Sequence, residues 1–130
     1  MRIRRAVVEA IVGQARAETP RECCGLLIGS GELIEDHVAV ANTRTGTVAF
    51  AVDPAGHFQA IRKARASGLA VVGAYHSHPR SSAIPSETDV REANDPDLLH
   101  LIVSLVDPQP VVRGYRIRDG TVHEIPLLVC

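Results

Sequence analysis

Residues 69–75 read LAVVGAY, uncharged and largely β-prone, and the chain runs straight on into His76-Ser77-His78-Pro79. An apolar run without polar alternation reads as a central strand, buried on both faces. A sheet built around such a strand needs helices over its apolar faces. The flanking sequence supplies them. Over residues 4–18, Val8, Ile11, Val12 and Ala15 fall at i, i+3, i+4 and i+7, one apolar stripe that Thr19-Pro20 ends. A second helix opens with Asp53 as N-cap and Pro54 at its first position, and closes at Gly68.

Three strands are expected before that second helix: CCGLLIGSG (23–31), ELIEDHVAVAN (32–42) and TVAFAV (47–52). After the central strand come a short helix in PSETDVREAN (85–94) and three more strands, LHLIVSLV (99–106), VVRGYRIR (111–118) and TVHEIPLLV (121–129). Asp-Pro at 107–108 and Asp-Gly at 119–120 mark the turns between the last three. The order is that of a single-domain α/β protein, a mixed β-sheet flanked by helices, and 130 residues can bury such a core unaided.

The net charge of −1 provides no strong field for nucleic acid or an anionic membrane, so neither is expected as a partner. Glu9, Gln14 and Arg16 interrupt the N-terminal apolar positions, which argues against a signal peptide or a membrane span. Cys23, Cys24 and Cys130 form no CxxC pair, which speaks against a thiolate zinc site and suits the cytoplasm. Cys24, in an apolar strand, reads as core. His37, His100 and His123 fall within strand patterns and read as structural or surface residues, and His57 has no ligand-like neighbour.

His76 and His78 are different. On a strand, residues i and i+2 project from one face, so the two imidazoles can converge on one metal ion. Pro79 favours an extended His78 and ends the strand at the rim of the sheet. A loop can return Asp89 as a third ligand, and two imidazoles with one carboxylate suit Zn²⁺ with a fourth position left to water. Each part also has an ordinary reading. Polar residues gather at strand ends, and Ser86-Glu87-Thr88-Asp89 is a regular helix start with an acid at N3. Other metal motifs do not match: no Asp-His follows the pair, no acid lies in PRSSAI, and there is no Pro-Cys-x-x-Cys.

The pattern resembles the JAMM (MPN-type) zinc metallopeptidases. Their His-x-His, seven residues, Ser-x-x-Asp signature is matched by His76-Ser77-His78, the residues Pro79 to Pro85, and Ser86-Glu87-Thr88-Asp89. PRECCGLLIG resembles the family's Pro-x-Glu-x-Cys-Gly strand, with Glu22 as the upstream acid. The resemblance covers nearly the whole chain and implies the JAMM/MPN (cytidine-deaminase-like) fold. It implies one Zn²⁺ per chain on His76, His78 and Asp89, with Glu22 as proton shuttle and Ser86 as oxyanion donor. Spacing alone does not single out Glu22 from the other acids.

For compact prokaryotic members the implied substrate is a small ubiquitin-like or sulfur-carrier protein. Cleavage of an amide or isopeptide bond after its Gly-Gly tail would remove a cysteine, a short peptide or a conjugated protein. A homodimer is compatible with the sequence. Two other classes stay open on the residues alone. One is a non-catalytic MPN-type binding module. The other is a non-haem iron enzyme using His76, His78 and Asp89 as a facial triad.

Overall fold

The computed structural model describes residues 1–42 and 54–130. The strand expected over 47–52 and the cap expected at Asp53 lie outside the described residues. In chain order the elements are β1 (Arg2–Ile3), α1 (Arg5–Glu18), β2 (Cys24–Ser30), β3 (Leu33–Val40), α2 (Pro54–Ala66), β4 (Ala70–His78), α3 (Glu87–Glu92), β5 (Leu99–Ser104), β6 (Val111–Arg118), β7 (Thr121–Ile125) and β8 (Leu128–Val129). The described strands form one sheet in the order β7-β6-β5-β4-β2-β3-β1-β8. The apolar run of residues 70–78 is the interior strand expected, antiparallel to β2 and parallel to β5. No helix among the described residues is long and apolar enough to cross a membrane.

Side-chain alternation divides the core between the two faces of the sheet. On one face α1 packs Val7, Ile11 and Ala15 against Leu27, Tyr75, Leu99 and Leu101. The buried stripe is turned slightly from the expected one: Val7 takes the centre, while Val8 and Val12 are only partly buried at its side. On the other face Ala60 of α2 meets Leu26 and Val40. Each fully buried Leu or Ile contributes about 1.5–3 kcal/mol through area removed from water. Cys23 and Cys24 are both fully buried, in keeping with a core role. At Gly25 a Cβ would run into the ring of Tyr75 and the carbonyl of Val38, so close strand packing there demands glycine.

Two expectations need correction. The stretch 121–129 is two strands, not one, because Pro126 has no N–H for the ladder. β7 and β8 then lie at opposite edges of the sheet although only Pro126 and Leu127 separate them. So short a link reaches at most about 11 Å, so the sheet curls until its edges nearly meet. The terminal amine of Met1 donates to the Pro126 carbonyl at 3.3 Å inside that closure. Strand β1 is also new: two residues have no periodicity to betray them. The Asp-Gly signal held, since Asp119 and Gly120 both have positive φ (50° and 75°), as a two-residue hairpin turn requires.

Candidate metal centre

The centre is built where β4 leaves the sheet. His76 and His78 share the face that carries α2, and Ser77 points through to the other. Ser77 is fully buried, and its backbone N–H donates to the Cys23 carbonyl at 3.1 Å while its Oγ accepts from the Cys23 N–H at 2.8 Å. This clamp fixes the residue before β2. Because Cys24 pairs antiparallel with His76, Glu22 arrives level with His78. The Glu22 carbonyl also accepts from Asn42 Nδ2 at 3.0 Å. Ser77 had no role in the sequence reading, although its place between two alternate histidines on a strand was a usable signal.

The three donor atoms converge. His76 Nε2 lies 3.1 Å from His78 Nε2, and Asp89 Oδ2 lies 3.1 Å and 3.3 Å from these nitrogens. The Nδ1–H of His78 donates to the Ser82 carbonyl at 2.9 Å, which fixes the ring and turns its Nε2 lone pair into the cluster. Asp89 is the N3 residue of α3. Its Oδ2 accepts from the Ser86 N–H at 2.8 Å, and its own N–H donates to Ser86 Oγ at 3.0 Å, a complete capping box. The two readings of Ser-x-x-Asp therefore coexist, since the oxygen that caps the helix also faces both imidazoles.

Two lone-pair nitrogens and a carboxylate oxygen aimed at one point need a positive charge between them. Their separations come close to the edge of about 3.3–3.4 Å of a tetrahedron around a cation with ligands at 2.0–2.1 Å. Both histidines are nearly inaccessible, His76 at 2% and His78 at 4%. Burial pushes His76 below the usual histidine range; for His78 burial also pulls downward, but the Asp89 carboxylate, the Ser82 carbonyl and Glu22 together outweigh it and the shift is upward. Burial alone would raise Asp89, but its contacts with the His76 and His78 rings hold it well below the usual carboxylate range. Asp89 is thus an anion facing the cluster.

Glu22 is the second carboxylate. One of its oxygens and one ring nitrogen each of His76 and His78 all lie within 4.8 Å of one another. Burial pushes its carboxyl up to about 7, with His78 opposing the rise. A carboxyl that can gain and lose a proton near neutrality is suited to general acid–base work. A cleft of about 360 Å³ opens beside the cluster, lined by Leu26, Ala74, His76, Asp89, Leu98 and His100 among others. His100, expected to be structural or surface, is a wall residue of this cleft.

The family model for prokaryotic homologs of the JAB domain, Prok-JAB, matches residues 4–118. The chain belongs to the Prok-JAB family. This Prok-JAB chain is 35% identical over 130 residues to the CysO-cysteine peptidase of Mycobacterium tuberculosis, covering 98% of the chain and 89% of the relative. A Desulfitobacterium hafniense protein solved in solution has TM-score 0.91 at 32% identity, over 100% of this chain and 93% of that one. A JAB1/MPN domain protein from Archaeoglobus fulgidus has TM-score 0.64 at 26% identity, over 99% and 98%. The fold expected from the resemblance is the fold found, and the chain is a compact prokaryotic JAMM peptidase.

Proposed function

We propose that this Prok-JAB chain is a zinc peptidase that cuts the amide or isopeptide bond after the Gly-Gly tail of a small ubiquitin-like or sulfur-carrier protein. The released group is a cysteine, a short peptide or a conjugated protein. One observation carries the catalytic assignment: His76 Nε2, His78 Nε2 and Asp89 Oδ2 meet at 3.1–3.3 Å with the Glu22 carboxylate beside them. The name of the mycobacterial relative, a CysO-cysteine peptidase, supports the substrate class.

His76, His78 and Asp89 would hold the ion, leaving Glu22 free. When bound there, zinc supplies Lewis acidity and brings the pKa of a water near 7. Glu22 takes a proton from the attacking water and passes it to the leaving amine. Ser86 can serve the oxyanion without giving up its cap. It caps α3 as an acceptor, through the Asp89 N–H, and so keeps its own hydroxyl proton to donate. Ser86→Ala is expected to lower kcat about 10²–10³-fold and to cost about 0.5–2 kcal/mol of stability as a lost cap. Steady-state kinetics beside a thermal melt separates the two: lost stability at unchanged kcat would leave Ser86 as a cap alone.

A glycine tail suits this rim, since it has no side chains to keep its backbone from the cluster. Its affinity must then come from the folded body that carries it. A folded Gly-Gly-tailed carrier extended by one cysteine should be cut efficiently, and the isolated tail peptide very poorly. Mass spectrometry of both with zinc-loaded protein tests this, and equal rates would make the chain a general peptidase.

A further inference from the structure

Residues 79–86 form the loop between β4 and α3, and so join His78 to Ser86 and Asp89. Residues 80–82 and 84 of this loop are exposed, while Ala83 is buried against Ile102 and Tyr115. A surface loop takes its shape from whatever holds its main chain. Three successive carbonyls show what does so here. The Ser81 carbonyl accepts from Ser104 Oγ at 2.5 Å, and the Ala83 carbonyl accepts from the Tyr115 hydroxyl. Between them the Ser82 carbonyl accepts from His78 Nδ1 at 2.9 Å and from the Ile84 N–H at 2.8 Å. The two outer carbonyls are thus fastened to β5 and β6, and the middle one holds the His78 ring.

Both fasteners are set in the sheet. Ser104 is buried at the end of β5, in register with His78 of β4, and its Oγ also accepts from the Val106 N–H at 3.3 Å. Its hydroxyl proton is therefore directed to Ser81. Tyr115 is buried on β6. Which imidazole nitrogen keeps its lone pair is set by the hydrogen bond that the other one makes. A Ser82 carbonyl that drifted would release Nδ1, and with it the tautomer and tilt of the ring. From this arrangement we infer that Ser104 and Tyr115 are positioning residues for the metal centre. By pinning the carbonyls on either side of Ser82, they keep the His78 ring turned with its Nε2 lone pair toward His76 and Asp89. Neither belongs to the converging donor set, so their effect is on how tightly the ion is held.

The inference rests on the zinc reading of His76, His78 and Asp89, and the test keeps the two apart. Zinc dissociation constants are measured by competition with a chromophoric chelator for wild type, Ser104→Ala, Tyr115→Phe and Tyr75→Phe. Tyr75→Phe is the control. It also removes the hydroxyl of a buried tyrosine, but one that donates to Gln14 of α1 at 2.6 Å, away from the loop. Losing the partner of an imidazole ligand costs about 10–100-fold in metal affinity. Acting one bond further out, Ser104→Ala and Tyr115→Phe are each expected to weaken zinc about tenfold, the low end of that range, and Tyr75→Phe to leave it unchanged. NMR of isotopically labelled, zinc-loaded protein follows the His78 Nδ1–H, whose exchange with solvent should quicken in the two loop variants and not in the control. Tyr115→Phe removes a single oxygen, so it decides the matter even where Ser104→Ala does not fold. Wild-type zinc affinity with wild-type Nδ1–H exchange in Tyr115→Phe overturns the inference. So does an equal loss of affinity in Tyr75→Phe, which marks a general effect of stability. If wild type itself binds no zinc, the metal reading falls before any variant is compared, and the inference falls with it.

Discussion

Glu22→Gln is expected to give a folded, zinc-holding protein that turns over substrate about 10²–10⁴-fold more slowly than wild type. Glutamine keeps the shape of the side chain and can still hydrogen-bond, but it cannot carry a proton. The Cys23–Ser77 clamp and the Asn42 contact hold the backbone of residue 22, so the substitution leaves its placement intact. The loss should fall on kcat, because the proton transfers belong to the transition state. Zinc analysis, a thermal melt and steady-state kinetics on one preparation provide the check. Near-wild-type kcat in a zinc-loaded Glu22→Gln protein would remove Glu22 from the mechanism.

Losing one imidazole should be more drastic. His78→Ala and His76→Ala are each expected to abolish stoichiometric zinc and to reduce hydrolysis to background. Each removes one of three converging donors, and the half-buried Asp89 carboxylate loses a neighbour that holds it ionised. A ligand that binds only the folded state stabilises it, by about 4 kcal/mol when present at a thousandfold its Kd. Added zinc should therefore raise the melting temperature of wild type and leave both variants unmoved. Elemental analysis showing one zinc per chain in either variant would overturn the ligand assignment.

These outcomes rest on residues whose legibility in the sequence varied. His76 and His78 were readable because strand alternation is a local rule: two residues apart at the end of an apolar run means one face. Asp89 was readable as a helix-start acid, and its turn toward the histidines follows from a short loop. Glu22 was not, because strand register is a long-range property. Only the pairing of Cys24 with His76 brings residue 22 level with residue 78, and nothing local in PRECCGLLIG states that pairing; Glu22 was singled out by the family resemblance alone. The same reason hid His100, whose neighbour across the sheet is Ala74. The curl of the sheet was invisible too, since β1 and β8 are too short for a pattern and Pro126 was folded into a single expected strand.

As a proposed ligand, the shared oxygen of Asp89 would tie the ion to the mechanics of the cleft. Helix α3 has only six residues, far too few to be stable alone. Its first turn is fastened through Oδ2, the same atom proposed to bind the ion. Its last residue, Glu92, and the next, Ala93, form part of the cleft wall. With Asp89 as a ligand, ion capture would work as a clasp: it would add to the hold on the start of the helix, whose end carries part of the wall. Stripping the ion should loosen the cleft wall at points that never touch the metal, so that a chelated protein loses the shape of the cleft together with its chemistry.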